Sequence, residues 1–586
     1  MTESRWLAEF AAALGRGDIE AASRLFEPEG FWRDLVAFTW TLKTFEGRDQ
    51  IKAMLAACLE ATKPSAWQPR CVASKGEFWF SFETAAGRGI GHLRLREGKA
   101  WTLLTALLEL RGFEEKSGHS RERGTEHGVL PERKSWLDRK LERERRFLTG
   151  ERQPYVLIVG GGQGGIALAA RLQRLEVPTL VIEKNARAGD SWRKRYKSLC
   201  LHDPVWYDHM PYLPFPDHWP VFSPKDRIAD WLEMYVRVMD LDYWTSAECV
   251  GASFAEDGWM VKVRKEGQAL LLKPTHLVLA TGMSGVPNMP ELPGRSSFWG
   301  AVEHSSVHPG GEGWRGKRCV VLGSNNSAHD IAADLWEHGA EAVTMIQRSP
   351  TVVVRSEMLM EHAWGKLYSQ EALESGITTE IADLTLAATP FRLLAEMQKP
   401  VYEKIRELDA ELYAGLDRAG FRYHFGEDGS GLHSIYLRRG AGYYIDVGAS
   451  RLVIDGRIKL VHGTVEGLAD GKLVLSDKTR IPVDLVVCAT GYGSMNGWAA
   501  KLISQEVADR VGKCWGLGSD TKGDPGPWVG ELRNMWKPTQ QPNLWFHGGN
   551  LMQSRHYSLY LALQLKARYE EIPTPVSFLD PVHHLA

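Results

Sequence analysis

Cysteine is scarce in this sequence and is nowhere paired at short spacing. The 586 residues include seven cysteines with no C-x-x-C pair. A disulfide framework needs many cysteines in a short chain, and structural zinc sites and redox-active dithiols need close pairs. All three are disfavoured, and so is a disulfide reductase. We also expect no bound metal, because no His, Asp and Glu cluster has metal-ligand spacing. The cysteines are Cys58, Cys71, Cys200, Cys249, Cys319, Cys488 and Cys514.

The sequence also has little net charge and no long hydrophobic run. Its formal net charge is −2, with 25% charged residues, so no basic surface is indicated for nucleic acid or an anionic membrane. No run approaches the roughly 20 apolar residues that span a bilayer, and the first residues lack an apolar signal core. We expect a cytoplasmic protein without nucleic-acid or membrane partners. The length allows about four domains.

The most informative feature that is present is a glycine-rich turn. The apolar strand Tyr155–Val159 leads into Gly160-x-Gly162-x-x-Gly165, a helical stretch follows, and a second apolar strand ends at Glu183. In such a unit the helix N-terminus faces a pyrophosphate, and the acid accepts hydrogen bonds from a ribose. Glu183 lies 23 positions after Gly160, so the spacing predicts a dinucleotide site.

A second glycine turn begins about 160 residues later, at Gly323, and an apolar strand leads into it. The strand that follows ends at Arg348 instead of an acid. A guanidinium can hold the 2′-phosphate of NADP with two hydrogen bonds, whereas a carboxylate would repel it. The alternative for Arg348 is an exposed charge without a ligand. The two turns predict FAD at the first and NADPH at the second. Asn325 replaces the usual middle glycine, which leaves the tightness of NADPH binding open.

Further runs accompany the two turns. Phe298-x-Gly300-x-x-x-His304 lies just before the second turn, and Ala-Thr-Gly occurs at 280–282 and at 489–491. In this order, the turns and runs resemble the class B flavin-dependent monooxygenases, which comprise flavin-containing, YUCCA-type and Baeyer–Villiger enzymes. The two Ala-Thr-Gly runs match the crossings between the FAD and NADPH domains of that superfamily.

The resemblance covers roughly two-thirds of the chain and implies an α/β fold. Two Rossmann-type domains, with the NADPH domain inserted in the FAD domain, are expected to follow an N-terminal α+β domain. The boundaries are 1–115 for an NTF2/SnoaL-like cone domain, 116–152 for a charged helical linker, 153–286 for the first part of the FAD domain, 287–448 for the NADPH domain with a helical insertion, and 449–586 for the second part of the FAD domain.

The resemblance also implies the chemistry. The enzyme would consume NADPH and insert one oxygen atom of O2 into a small organic substrate through a flavin C4a-(hydro)peroxide. The cofactor-binding residues that it implies are Gly160, Gly162, Gly165, Glu183, Lys184, Gly189, Trp192, Arg193, His202, Thr281, Gly323, Ser324, Asn325, Asn326, Ser327, Arg348, Ser349, Thr490, Gly491, Tyr492 and Asn550.

Three residues are candidates for catalysis. His202 aligns with a residue beside the flavin, where an imidazole could donate a hydrogen bond; fixing its own loop is the alternative. Asn550 and Gln553 lie where a helix is expected to begin near the isoalloxazine, and the positive end of a helix suits reduced flavin. Tyr557 and Tyr560 on that helix are expected to be packing residues.

The reaction type stays open at this point. His308 and Pro309 close the Phe298–His304 run in a way that selects no subfamily. Oxygenation at S or N, Baeyer–Villiger insertion and oxidative decarboxylation of a 2-oxo acid are all compatible with it. Rival hypotheses are an NADPH oxidase or flavin reductase that releases hydrogen peroxide, and a non-catalytic redox-sensing flavoprotein.

Two regions outside the flavoprotein core carry weaker hypotheses. In the N-terminal domain, His92 and Asp34 are either an acid/base pair or, as we favour, a packed histidine and a surface aspartate. The helical stretch 357–423 is expected to cover the active site or a subunit interface, which leaves a homodimer open.

Overall fold

The computed structural model describes residues 3–74, 76–125, 127–256, 258–283 and 285–582. The N-terminal domain is a six-stranded sheet in the order β2-β1-β6-β5-β4-β3, with only the β1–β6 pair parallel, and with three helices packed on it. The predicted α+β composition is present, and the cone-domain resemblance stays a prediction. The elements are α1 Glu3–Gly15, α2 Ile19–Arg24, β1 Phe26–Leu35, β2 Leu42–Glu46, α3 Gly47–Thr62, β3 Ser65–Ser74, β4 Glu77–Glu83, β5 Gly87–Arg96 and β6 Lys99–Leu110.

Asp34 and His92 lie on opposite faces of this sheet. Asp34 is level with Thr105 of β6, and His92 is level with Leu104, and neighbouring strand residues point to opposite faces. They are therefore no acid/base pair. His92 is a packed histidine, as favoured. The expectation of a surface aspartate is wrong: Asp34 is fully buried and accepts hydrogen bonds from the Thr39 and Thr105 hydroxyls at 2.8 and 2.6 Å.

The linker has two short helical segments, a 3-10 turn Gly118–Ser120 and helix α4 Trp136–Leu148. Ser135 caps α4 by accepting from the backbone N–H of Asp138 at 3.1 Å. Arg143 holds the helix against the FAD domain through Asp240 and Asp242.

The first part of the FAD domain supplies four parallel strands and a separate antiparallel sheet, β10-β11-β12. Strand β7 is short, apolar and fully buried, as a strand covered on both faces should be. The elements are β7 Val156–Val159, α5 Gln163–Arg174, β8 Thr179–Ile182, α6 Asp190–Arg193, α7 Lys225–Val238, β9 Tyr243–Trp244, β10 Ala247–Ala255, β11 Gly258–Lys265, β12 Gln268–Leu272 and β13 His276–Leu279.

The NADPH domain has a five-stranded parallel sheet in the order β14-β24-β15-β16-β20. Its elements are β14 Ala301–His304, β15 Arg318–Leu322, α8 Asn326–Glu337, β16 Ala342–Gln347, β17 Thr351–Arg355, α9 Ser356–Leu359, α10 Gln370–Glu374, α11 Thr379–Ala387, α12 Phe391–Leu408, α13 Ala410–Arg418, β18 Tyr423–His424, α14 Gly431–Arg439, β19 Tyr443–Asp446, α15 Ala449–Ile454, β20 Ile458–His462, β21 Val465–Ala469, β22 Lys472–Leu475, β23 Arg480–Pro482 and β24 Leu485–Cys488, with 3-10 turns Arg295–Ser297 and Gly311–Trp314 and a π-helical turn Met360–Trp364.

The strand pairing corrects the predicted end of this domain at 448. Strands β20 and β24 lie beyond that boundary, yet they pair with β16 and β15. The NADPH domain therefore continues to Cys488, and the chain returns to the FAD domain at the second Ala-Thr-Gly run. The stretch between β17 and β18 is helical, as predicted.

The second part of the FAD domain completes the first sheet. Its elements are α16 Asn496–Leu502, α17 Gln505–Val511, β25 Leu544–Phe546 and α18 Leu551–Tyr569. Strand β25 pairs with β13, which gives a parallel sheet in the order β25-β13-β7-β8-β9. Within the described ranges no helix is both long and apolar enough to cross a membrane. The same ranges contain no group of three or more His, Cys, Asp or Glu placed to hold a metal.

Candidate functional site

The first glycine turn is shaped for close backbone approach. Gly160 has a φ of 107°, and a Cβ there would lie 2.4 Å from the Ala280 carbonyl oxygen. At Gly165 a Cβ would lie 2.0 Å from the Gly160 oxygen, so only glycine lets α5 pack this closely on β7. At Gly162, by contrast, a Cβ would meet only the Ser191 hydroxyl at 3.8 Å. The space in front of the α5 N-terminus is therefore open to a pyrophosphate.

Glu183 and Thr281 flank this turn. The buried Glu183 carboxylate accepts from the backbone N–H of Gly161 at 2.9 Å and from that of Asn185 at 2.8 Å. The Thr281 hydroxyl is buried and has no hydrogen-bond partner in the protein. Because buried polar groups are normally paired, an orphan here fits a ligand. These residues fit FAD. Lys184 lies exposed directly after Glu183.

The segment after the ribose acid is fixed by packing and charge. Gly189 has a φ of 85°, and a Cβ there would lie 2.2 Å from the Ala229 carbonyl oxygen. Trp192 donates its indole N–H to the Gln163 side chain at 3.2 Å, which joins it to the start of α5. Arg193 is held by carboxylates of α6 and α7. Contact of Arg193 with the cofactor stays a prediction, and this arginine's donors are used within the protein.

The second turn reaches the same shape with different residues. Gly323 has a φ of 125°, and a Cβ there would lie 2.5 Å from the Ala489 carbonyl oxygen. Asn325 precedes α8 with extended backbone, at φ −97° and ψ −171°. A position with negative φ does not require glycine. The asparagine side chain accepts from the Thr351 hydroxyl at 3.4 Å and does not cap α8.

The neighbouring residues attach this turn to the strands of the insertion. The Ser324 hydroxyl hydrogen-bonds the Thr351 hydroxyl at 2.8 Å, and the Asn326 side chain accepts from the Ile445 backbone N–H at 2.8 Å. The remaining residues predicted for this site lie at the end of β16 and in the turn itself. Arg348 and Ser349 lie exposed after β16, and Ser327 lies in the first turn of α8.

The Phe298–His304 run contacts the second crossing. His304 lies 3.1 Å from the Gly491 carbonyl oxygen and packs edge-on against Tyr492, with ring centroids 5.2 Å apart. Burial lowers the pKa of His304, so a neutral ring makes these contacts near pH 7. The Thr490 hydroxyl of this crossing donates to the Asn288 carbonyl oxygen at 2.6 Å. At Gly300 a Cβ would lie 2.4 Å from the backbone of the residue before β24. This run therefore packs against the second crossing and the strand that leads to it.

His202 lies between the two domains. Its Nε2 is 3.5 Å from Asp330 of α8, and Tyr196 donates to the same carboxylate at 2.8 Å. Burial raises the pKa of Asp330. The other imidazole nitrogen of His202 is buried without a protein partner. One nitrogen thus faces Asp330, and contact of His202 with a cofactor stays a prediction. Asp330 was missed from the sequence, where it is an ordinary helix residue.

The two candidate residues on α18 cap that helix. The Asn550 side chain accepts from the Gln553 backbone N–H at 2.9 Å, and the Gln553 side chain accepts from the Asn550 backbone N–H at 3.3 Å. The Asn550 amide donates to the Tyr207 hydroxyl at 3.1 Å, and Tyr436 donates to Gln553 at 2.6 Å. A direct catalytic role of the pair stays a prediction. Both tyrosines were missed, because only the fold brings them to α18.

A cleft lies directly beside this cap. It measures about 460 Å³ including its open mouth. Tyr207 stacks on Trp364 at 5.8 Å and meets Tyr368 edge-on at 4.8 Å. The other polar or aromatic lining residues are Gln398, Tyr402 and His433, and the remainder are aliphatic. Both the loop that carries Tyr207 and helix α14 therefore contribute to the cleft and to the cap.

Comparison with known proteins agrees with this arrangement. Residues 157–389 match the family model "Pyridine nucleotide-disulphide oxidoreductase", although the six described cysteines are all free. Indole-3-pyruvate monooxygenase YUCCA1 of Oryza sativa subsp. japonica is 28% identical over 382 residues, covering 64% of this chain and 86% of that protein. The probable indole-3-pyruvate monooxygenase YUCCA7 of Arabidopsis thaliana is 29% identical over 353 residues, covering 58% and 74%.

Solved structures show the same fold. The complex of OTEMO with FAD and NADP has a TM-score of 0.51 at 17% identity, over 72% of this chain and 86% of that one. Cyclohexanone monooxygenase with bound ε-caprolactone has a TM-score of 0.50 at 16% identity, over 71% and 88%. The predictions of an enzyme with FAD and NADPH as cofactors are confirmed, and the comparisons support the predicted resemblance to the class B flavin-dependent monooxygenases.

Proposed function

We propose that this enzyme oxygenates a small organic substrate in the cleft beside the first turn of α18. The observation that carries the proposal is the direct bonding of the cleft to the helix cap. Tyr207 lines the cleft and bonds Asn550, and Tyr436 of α14 bonds Gln553. Since the cap marks the end of the helix that the family turns toward the flavin, a substrate in the cleft would lie beside the reactive ring.

The chain's residues would hold FAD at the first turn. Gly162 leaves room for the pyrophosphate at the α5 N-terminus, Glu183 is placed to accept from a ribose hydroxyl, and the Thr281 hydroxyl is unpaired toward the site. FAD, when bound, would accept a hydride from NADPH and activate O2. One oxygen atom enters the substrate and the other leaves as water, with two electrons from NADPH and a proton from solvent.

The second turn would hold NADPH. The α8 N-terminus has no side-chain cap, which leaves backbone N–H groups for a pyrophosphate. The exposed Arg348 would bind the 2′-phosphate. His202 would place its unpaired nitrogen against the bound cofactors while Asp330 fixes the orientation of the ring. The aromatic cleft would exclude water from the reacting atoms.

Two alternative reactions would give different products. The names of the plant relatives favour decarboxylating oxidation of an aromatic 2-oxo acid. An NADPH oxidase would share both cofactor sites and release hydrogen peroxide only. The cytoplasmic location and a homodimer stay predictions.

Isotope labelling tests the proposal. The FAD-loaded protein is supplied with NADPH, ¹⁸O2 and a panel of ketones, sulfides, amines and 2-oxo acids. Incorporation of one ¹⁸O atom per product molecule, with one NADPH consumed, is the expected result. Hydrogen peroxide equal to the NADPH consumed, with no labelled product from any compound, would support the oxidase instead.

A further inference from the structure

The cleft beside α18 carries no formal charge among its described lining residues. Its polar groups are tyrosine hydroxyls, the Gln398 amide and His433. Burial lowers the pKa of His433 to about 4, so this histidine is neutral at pH 7. A carboxylate in such a site would lose its hydration without gaining a cation, which is costly.

The buried arginine next to this cleft is paired within the protein. The Arg555 Nε and Nη2 atoms donate to the two Asp383 oxygens, both at 2.8 Å. Its Nη1 donates to the Tyr207 and His209 carbonyl oxygens at 2.9 and 2.6 Å. Arg555 is thus neutralised by Asp383, and four of its five N–H groups join α18 to α11 and to the loop that carries Tyr207.

We propose that this cleft selects an uncharged substrate with a flat apolar body and rejects 2-oxo acids. The inference rests on the proposed oxygenation at this site, and it narrows that reaction to Baeyer–Villiger insertion or S- or N-oxygenation. Tyr207, Trp364, Tyr368 and Tyr402 supply ring faces and edges against which an aromatic body can pack.

A matched pair of compounds tests the charge dependence. Phenylacetone and phenylpyruvate share an aryl group and a ketone and differ by a methyl group against a carboxylate. We expect phenylacetone to bind the oxidised, FAD-loaded protein at least ~10-fold more tightly, because the carboxylate finds no partner. Equal or tighter binding of phenylpyruvate would overturn the inference. Calorimetry reports this preference even if neither compound is oxygenated, so failure of the proposed function remains distinguishable.

A charge inserted in the cleft sharpens the test. Gln398→Arg supplies the missing cation and should move the binding ratio toward phenylpyruvate by ~10-fold or more. Gln398→Met keeps the length of the side chain without charge and should leave the ratio near that of the parent. If both variants shift the ratio equally, the cleft does not select by charge and the inference is wrong.

A separate cluster gives a role to Arg33 of the N-terminal domain. This side chain is 1% exposed and donates to both Glu531 oxygens, at 2.7 and 2.8 Å. It also donates to the Ala387 carbonyl oxygen at 2.8 Å and to the Tyr557 hydroxyl at 3.1 Å, and it lies 4.6 Å from the Phe391 ring centroid. One guanidinium therefore joins α18 to the end of α11 and the start of α12, two helices beside the cleft.

We infer that Arg33 is a positioning residue for the cleft, so that the N-terminal domain completes the active site. Tyr557→Phe tests this with little risk to folding, because the ring still stacks on Trp536 at 4.0 Å. We expect faster amide hydrogen exchange in α11, α12 and the first turn of α18, with α5 and α8 unchanged. More hydrogen peroxide should also be released per NADPH. Arg33→Lys keeps the charge but loses the paired bonds, and should give a larger effect of the same kind.

Arg88, in the same sheet as Arg33, provides a matched control. Arg88 bonds Glu109 and Glu114 and is 43% exposed. Arg88→Met should change neither exchange near the cleft nor peroxide release. If Arg33→Lys and Tyr557→Phe lower only the melting temperature, with peroxide release and local exchange as in the parent, Arg33 is a structural residue and the inference is overturned.

Discussion

The two dinucleotide turns share one architecture but differ in how tightly they are built. At the first, Gly165 lets α5 approach β7 to a distance at which no side chain fits. At the second, Ala328 stands at the corresponding place and is buried, so α8 leaves room for a methyl group. Asn325 is accommodated because the backbone there is extended. Glycine spacing alone therefore does not measure how well a turn can bind its dinucleotide.

The difference suits two kinds of cofactor. A resident FAD gains from a close, buried cradle, and Glu183 is already fixed by backbone N–H groups. NADPH must enter and leave in each turnover, and we propose that the exposed Arg348 recognises it. We expect added bulk at the close contact of the first turn to abolish cofactor retention, and substitutions at the second turn to change affinity or preference.

The largest effect is expected from Gly165→Val. A Cβ there would lie 2.0 Å from the Gly160 oxygen, so α5 must move and the pyrophosphate site is lost. The purified variant should lack the yellow flavin absorbance and bind added FAD at least ~100-fold more weakly. Ala328→Gly is the matched change at the second turn and should retain NADPH binding. Equal losses at both positions would contradict the comparison.

Arg348→Glu should have the next largest effect. Replacing the guanidinium by a carboxylate repels the 2′-phosphate, so kcat/KM for NADPH should fall by ~100-fold while that for NADH changes little. Steady-state oxidation of the two nucleotides measures this directly. Arg348→Gln removes the charge without reversing it. Its kcat/KM for NADPH should lie between the values of the parent and of Arg348→Glu. An unchanged NADPH preference would mean that Arg348 does not face the cofactor.

Glu183→Gln tests the ribose acid with a smaller expected change. The amide keeps the shape but replaces one acceptor by a donor that faces the backbone N–H of Gly161 or Asn185. FAD affinity should fall by ~10-fold, as measured by fluorescence on release of the flavin. NADPH affinity should stay the same, since this residue belongs to the first turn only.

Asn325→Gly should have the smallest effect. The backbone there needs no glycine, and the side chain loses only a weak contact with Thr351. We expect the dissociation constant for NADPH to change by less than ~3-fold. A large gain in affinity on titration would show that the asparagine side chain obstructs the pyrophosphate, and that the second turn is the weaker one for this reason.

Local elements were predictable wherever the pattern is contained in one stretch of chain. The turn at Gly160, the acid at Glu183 and the helical stretch 357–423 follow from spacing and periodicity, and all are present. The domain end at 448 was misplaced, because β20 and β24 join their sheet only after long connections. Short apolar strands look alike in sequence whichever sheet receives them.

The sequence by itself determined the α/β class of the core, the order of the two glycine turns and the resemblance to flavin-dependent monooxygenases. Such patterns act through local backbone geometry, which a few glycines and apolar strands specify. Only the tertiary structure decided that Tyr207 bonds the Asn550 cap of α18 and that Arg33 reaches the same helix. These contacts join residues hundreds of positions apart, and their free energy comes from partners that burial brings together. For that reason the catalytic surroundings depend on packing, whereas the cofactor turns can be read from the chain.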